Sequence, residues 1–436
     1  MAELRKGVRQ LIAYVLDRLE RTVFFSLRFT FPRSYISPLG FLGMLTFSVF
    51  ILLGITGAML MLYYYPGITT SWDSVQFIEQ QASLGYVIRN IHYAASNAMV
   101  LLAICHLYYQ YFSGRFKVRN EMLWVTGVIL GVLTVLEAFT GYNLIFNERA
   151  ELAISIGVAL AQSTPQLGPL LRFFVFGAGF YDFIIRFYTY HVFVIPVIML
   201  LLMGLHFPRN LVFDVPMVSG VIGAILVAAA IFPVELGTKF VPGAPVGFTV
   251  PEWYLSSLYA FLRTGMDKFV AGVLLPGLYI LMFLVIPFVD RGKRLSWRDR
   301  PFFTGLGIAS IAQAALTTAW GFWMNPYTNI PLFKLYIPPW SLFGFMILAG
   351  VLSFAIVYAA LSRRKPTPAR PSVVTQVKIG PRWARFNLMA LVVFQLALNG
   401  LLLRAVNTNL GSVVLLELGA LLLSFSILFH FYRISA

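Results

Sequence analysis

Four of the five histidines fall in two apolar stretches, "NIHYAASNAMVLLAICHLYYQ" (90–110) and "RFYTYHVFVIPVIMLLLMGLH" (186–206). Imidazole nitrogens ligate metals and carry protons, and an ionisable residue within a bilayer is costly enough to mark a functional site. His92 and His106 stand fourteen residues apart, about 40° short of four helical turns, so they share a face. His191 and His206 stand fifteen apart, about 60° beyond four turns, which still leaves them on one side. Along either helix the two rings are separated by about 21 Å. If these helices run in the same direction and face each other, His92 meets His191 near one membrane surface and His106 meets His206 near the other. Two imidazoles across a gap are what a bis-histidine haem iron requires, and two such gaps arise. Interhelical hydrogen bonding would explain one such histidine; two matched pairs on parallel helices point to iron.

A flat macrocycle between helices needs room at its faces and edges. Gly43 and Gly57, fourteen apart, lie in the first apolar stretch, and Gly127 and Gly141, again fourteen apart, lie in the third. Both of these helices run opposite to the histidine helices. Gly43 and Gly127 therefore fall at the depth of His106 and His206, Gly57 and Gly141 at the depth of His92 and His191. Having no side chain, glycine permits close approach.

Composition states what positions these residues. The chain is 59% hydrophobic and 11% charged, with mean hydropathy +0.80. A soluble protein of this length would carry far more charge. The fold class expected is all-α, a polytopic membrane helical bundle of about ten transmembrane helices around a dihaem four-helix core. Spans of about 20 residues are expected near 39–64, 85–112, 122–144, 187–206, 217–235, 269–289, 303–324, 341–361, 386–404 and 412–432. With alternating direction, 24 of the 33 lysines and arginines fall on the side holding both termini, which assigns that side to the cytoplasm. The +16 net charge is then a topology signal, with contact to anionic lipid. Nucleic acid is a poor partner for basic residues spread over loops of an insoluble bundle. The single cysteine, Cys105, excludes structural disulfides, a cysteine-rich metal site and covalent c-type haem attachment; it reads as a small buried apolar residue. No signal peptide is evident.

Five segments are expected: an amphipathic cytoplasmic N-terminal segment (1–38), a dihaem four-helix bundle (39–210), a further four-helix region (211–362), a basic cytoplasmic linker (363–385) and two extra C-terminal helices (386–436). Two long outer loops, 145–186 and 236–268, hold apolar runs too short to span. "SIGVALAQSTPQLGPLLRFF" reads as a surface helix, a turn and a helix.

"RNIHYAASNAMVLLAICH", the second histidine stretch and "VPEWYLSSLYAFLRT" together resemble the cytochrome b subunit of the quinol-oxidising Rieske/cytochrome b (bc-type) complexes over roughly residues 30 to 300. The fifteen-residue spacing is that of the plastoquinol-oxidising branch and its bacterial relatives, although this chain is continuous through the eighth helix. The resemblance implies two non-covalent haems, of b type or a modified form, with His92 and His191 on one iron and His106 and His206 on the other. It implies quinol oxidation at an outer site, with one electron passed to an iron–sulfur protein and one sent through the haems to quinone, building proton-motive force. Glu252, in the Pro-Glu-Trp-Tyr signature Pro251 to Tyr254, matches the proposed proton acceptor, and Tyr259 matches a pocket tyrosine. Arg89 matches an arginine that neutralises haem propionates. Partners implied are a Rieske iron–sulfur protein, a c-type cytochrome or other acceptor subunit, quinone, lipid and a second copy. The membrane implied is an energy-transducing one, a prokaryotic plasma membrane, with both termini cytoplasmic.

Departures bear on these expectations. After Gly141-Tyr142 the family usually has a Pro-Trp pair; here the text is "NLIFNERAEL", while Pro165 and Gly168 keep the downstream spacing. An arginine usual after the second ligand histidine is replaced in "HLYYQ". The first-helix cysteine for a third haem is absent. The inner quinone site is poorly marked: Arg209, Asn210 and Asp214 lie in the matching loop, where solvated loop residues are the default reading. Glu137 and Glu417 lie inside predicted helices, Glu137 one turn from Gly141, where proton release and a hydrogen-bonded protonated carboxyl are both open readings. His430 reads as interfacial. Two competitors remain: a dihaem conduit for another dehydrogenase without bifurcation, favoured by the missing Pro-Trp pair, and a transporter or scaffold without cofactors.

Overall fold

The computed structural model describes residues 2–22, 28–32, 38–118, 121–207, 210–244, 247–325, 327–330, 333–364, 381–408 and 410–435. Arg209 and residues 365–380 of the expected linker lie outside the described residues. The chain forms α1 (Ala2–Thr22), α2 (Leu42–Met61), α3 (Thr70–Gln80), α4 (Gly85–Ser113), α5 (Glu121–Asn143), α6 (Glu148–Ser163), α7 (Gly168–Leu171), α8 (Phe180–Thr189), α9 (Ile195–His206), α10 (Val215–Ile231), α11 (Trp253–Leu262), α12 (Leu275–Val289), α13 (Pro301–Phe322), α14 (Pro339–Ser362), α15 (Pro381–Asn407) and α16 (Gly411–Ser435). It is an all-α polytopic membrane protein. Among the described residues the only sheet is a parallel pair, β1 (Arg28–Thr30) with β2 (Asn210–Val212).

Nine helices among the described residues are long and apolar enough to cross a bilayer: α2, α4, α5, the continuous span Phe180–His206, the span Val270–Val289, α13, α14, α15 and α16. The tenth expected span is shorter. α10 has 17 residues, about 26 Å at helical rise, against a hydrocarbon core of about 30 Å. It stops at Ile231 rather than 235 because Phe232 precedes Pro233, which disfavours helical backbone; Phe232 sits at φ −121°, ψ 68°. At the other end the Asp214 carboxylate accepts from Met217 N at 2.9 Å, an N-cap that fixes the start.

Two spans are continuous only because each contains a π-helical turn, Tyr190–Val194 and Val270–Leu274. Each turn is followed two residues later by a proline, Pro196 and Pro276. Proline brings no N–H and its ring collides with the carbonyl four residues back; the wider i→i+5 turn takes up the misfit. The Phe180–His206 span also begins seven residues earlier than the expected 187. α3 and α11 are helices in segments expected as outer loop, each too short to give a spanning signal, whereas α6 and α7 are the expected surface helix, turn and helix.

The chain divides into two compact units whose segments interleave along the sequence: 1–23, 107–207 and 237–368, and 24–106, 208–236 and 369–436. In the first, Tyr111, Phe116, Trp124, Val128, Phe283 and Ile286 form a buried cluster, and the Trp124 indole N–H donates to Phe283 O at 2.6 Å. Beside it Asp290 is buried between Lys117 and Arg300, with Arg300 Nη1 at 2.6 Å, and Arg300 also donates to Tyr111 O and Phe112 O. Burial lowers the Lys117 pKa, opposed by its bond to Asp290. A second cluster joins Ala260, Trp320, Met324, Ile337 and Leu342.

In the second unit, Val87, Leu226, Ala229, Ala405, Val414 and Leu415 are buried together. Here α10 and α16 approach so closely that a Cβ on Gly223 would lie 2.8 Å from Gly419 O. Below this contact Arg433 of α16 pairs with Asp214 and donates to Pro32 O at 2.7 Å. Cys105 is exposed rather than buried as expected.

Candidate functional site

Each unit holds one antiparallel helix pair in which two histidines lie against two glycines. In the second unit, a Cβ built on Gly43 of α2 would stand 2.9 Å from His106 Cε1, and one on Gly57 would stand 3.2 Å from His92 Cε1. In the first unit, a Cβ on Gly127 of α5 would stand 2.8 Å from His206 Cε1, and one on Gly141 2.5 Å from His191 Cε1. Real Cβ atoms do not approach ring carbons as closely as at Gly43, Gly127 and Gly141, where something would have to shift, and at Gly57 a Cβ would be tight against the ring. The room that the sequence reading set aside for a macrocycle is thus occupied by the imidazole itself, laid against the neighbouring backbone.

The fifteen-residue spacing needs correction as well. As an unbroken α-helix it would rotate His206 about 60° past His191. The π turn carrying His191 absorbs one residue, and both histidines meet glycines that are fourteen apart.

Hydrogen bonds fix which ring nitrogen keeps its lone pair. The Thr56 hydroxyl donates to Leu52 O at 2.8 Å, so its oxygen accepts from His92 Nδ1 at 2.9 Å. His206 Nδ1 donates to Leu123 O at 2.8 Å, with Thr126 Oγ1 at 3.3 Å. His191 Nδ1 lies 3.1 Å from Glu137 O, 3.1 Å from Glu137 Oε1 and 3.3 Å from Thr140 Oγ1. With Nδ1 a donor, Nε2 carries the lone pair, the tautomer a metal-bound histidine needs. The donor set therefore fits haem iron. The threonines were not anticipated, although the signal was present: Thr56-Gly57, Thr126-Gly127 and Thr140-Gly141 are all Thr-Gly pairs.

Arg89 is buried, 6% exposed, and its guanidinium is engaged by Glu79 of α3 and by the carbonyls of Val234 (3.2 Å) and Glu235 (3.1 Å). Asn90 beside it accepts from Val234 N at 2.7 Å.

A second constellation sits at one end of the first unit. Asn147 caps α6 by accepting from Ala150 N at 3.0 Å, which sets Arg149 on the first turn. Arg149 Nη1 lies 2.7 Å from Glu252 Oε1. Glu252 is buried, while the Arg149 side chain is 39% exposed. Glu252 immediately precedes α11 without capping it, so the carboxylate points away from its own helix. Tyr142, Tyr254 and Tyr259 lie within electrostatic reach of this pair, and Arg263 flanks Tyr259. Burial pushes the Tyr259 phenol up to about 12 and lowers the Arg263 pKa. Glu252 and Tyr259 are thus brought into one cluster. Arg149, not anticipated, belongs to the same "NERAEL" text that replaces the Pro-Trp pair.

Asp214 is occupied by its capping bond and by Arg433, and Asn210 is a backbone partner of Arg28 in the parallel strand pair.

A family model described as Cytochrome b/b6/petB matches residues 30–210, and one described as Cytochrome b(C-terminal)/b6/petD matches residues 246–334. The cytochrome b6 of Prochlorothrix hollandica is 36% identical over 168 residues, 38% of this chain and 76% of that protein. A chain solved as a hyperthermophilic respiratory Complex III superposes with a TM-score of 0.58 at 21% identity, covering 82% of this chain and 96% of that one; this is a likeness of fold.

Proposed function

The chain belongs to the cytochrome b/b6 family, and from that premise we propose that it serves as the cytochrome b of a bc-type complex that oxidises quinol by bifurcation. The observation that carries the haem part of this reading is the set of four histidine–glycine contacts, three with Nδ1 committed as donor. His92 and His191 are assigned to an outer haem, His106 and His206 to an inner one. When bound, two haems supply one-electron carriers at two depths of the membrane.

The remaining chemistry belongs to the chain. Quinol oxidation releases two protons and two electrons. Glu252 is assigned as acceptor of one proton, its carboxylate exchanging Arg149 for the quinol hydroxyl, and Tyr259 as a wall of the pocket. One electron leaves to a Rieske-type iron–sulfur partner; the other crosses toward quinone on the cytoplasmic side, and that charge movement is worth about 2.3 kcal/mol per 100 mV. The partners, a second copy of the chain, the prokaryotic plasma membrane and cytoplasmic termini belong to this reading, as do the five segments 1–38, 39–210, 211–362, 363–385 and 386–436. The dihaem conduit without bifurcation, favoured by the missing Pro-Trp pair, gains a second supporting observation: the carboxylate of Glu252 is held by Arg149.

Pyridine haemochrome spectra should give two haems per chain, and His106→Ala should remove the inner haem while leaving the outer spectrum in place. Purified protein without a Soret band excludes both haem readings. Insensitivity of haem reduction to an outer-site inhibitor leaves only the conduit.

A further inference from the structure

α5 presents the same short pattern twice, fourteen residues apart, and the two copies differ at one informative position. At the inner level, Leu123 lies one turn before Gly127 and its carbonyl accepts from His206 Nδ1 at 2.8 Å. At the outer level, Glu137 lies one turn before Gly141 and its carbonyl is 3.1 Å from His191 Nδ1. Thr126 and Thr140 occupy equivalent places, each 3.3 Å from its histidine. The backbone and threonine contacts are therefore shared. What the outer level adds is the Glu137 side chain, whose Oε1 lies 3.1 Å from His191 Nδ1, while the ring N–H is directed at the Glu137 carbonyl.

We infer that Glu137 is a positioning residue for His191 which, by placing a carboxyl oxygen against the N–H side of that imidazole beside the backbone and threonine acceptors, holds the outer haem at a lower potential than it would otherwise have. This rests on the haem reading above. An acceptor on Nδ1–H makes Nε2 a stronger donor, and a stronger axial donor stabilises ferric over ferrous iron, lowering the reduction potential. The inner histidine, with a leucine at the matching position, lacks this contribution. Electrons entering at the outer level then run downhill toward the inner one. Glu137 Oε2 is buried and makes no hydrogen bond among the described residues, and Oε1 is the carboxyl oxygen turned toward the histidine.

The test is a potentiometric titration of both haems in the intact membrane complex, followed optically. Glu137→Leu copies the residue that α5 already carries at position 123, a good helix former of similar size. It should raise the outer-haem midpoint and narrow the gap between the haems, with the inner midpoint unmoved. Glu137→Gln keeps an acceptor oxygen and should stay near the parent value. The converse change, Leu123→Glu, should lower the inner midpoint alone, and it decides the matter if Glu137→Leu does not assemble. An outer midpoint unmoved by Glu137→Leu overturns the inference. His191→Ala is the separate control: if both haem signals persist in that variant, the ligand assignment has failed and this inference falls with it.

Discussion

A histidine in a membrane is informative at the residue scale because nothing in lipid repays its polarity. Each of His92, His191 and His206 has a nearby acceptor that settles its tautomer, so the chain itself orients these side chains. The histidines were legible from residue type and spacing. Their acceptors were not, since a threonine bonded to its own helix looks ordinary in sequence. Tyr259 offers a test at this scale. Its phenol is pushed up to about 12 by burial, above an unfolded value near 10. The folded protein therefore keeps a proton that the unfolded chain has lost, and this contribution to stability is complete below about pH 10 and fades as pH rises through about 12. Thermal unfolding midpoints at pH 9 and pH 11 should fall less for Tyr259→Phe than for the parent. Equal falls would mean that this phenol is not shielded.

Elements decide whether correctly typed residues reach their partners. α5 carries Gly127, Gly131 and Gly141, and they are not equivalent. Nothing lies within 4 Å of a Cβ on Gly131, whereas a Cβ on Gly141 meets His191 Cε1 at 2.5 Å. Gly131→Ala should be neutral or mildly stabilising, because alanine favours helix by roughly 1 kcal/mol. Gly141→Ala should displace His191, at a packing cost of about 1–3 kcal/mol, and lower outer-haem content in the purified complex. Equal haem content in the two variants would dismiss the contact. The fourteen-residue periodicity was visible in the sequence; the π turn that lets a fifteen-residue spacing match it was not, although Pro196 was its mark. α3 and α11 escaped for a plainer reason. Helices of 11 and 10 residues give no spanning signal, and their order comes from tertiary contact.

Over the whole molecule, the last two helices carry more than their position beyond the family core suggested. α16 lies against α10 through Gly223 and Gly419 and pairs Arg433 with Asp214. Losing one member of a buried ion pair costs about 3–5 kcal/mol. A chain ending at residue 364 should therefore accumulate poorly or lose thermal stability, measured by membrane yield and unfolding midpoint. Normal yield and stability would make α15 and α16 an optional docking element. Composition and the histidine and glycine intervals by themselves determined a polytopic helical membrane protein and its candidate ligands, and the histidine stretches with the Pro-Glu-Trp-Tyr signature carried its family resemblance. They could, because apolar length, charge distribution and helical phase are properties of single elements. Tertiary structure alone decided that imidazoles fill the glycine notches, that Arg89 meets Glu79, that Arg149 holds Glu252 and that Asp214 is bound by Arg433. Each of those is a pairing between segments distant in sequence or turned toward one another by a fold, and hydrogen-bond partners across such gaps are chosen by packing, which no local pattern encodes.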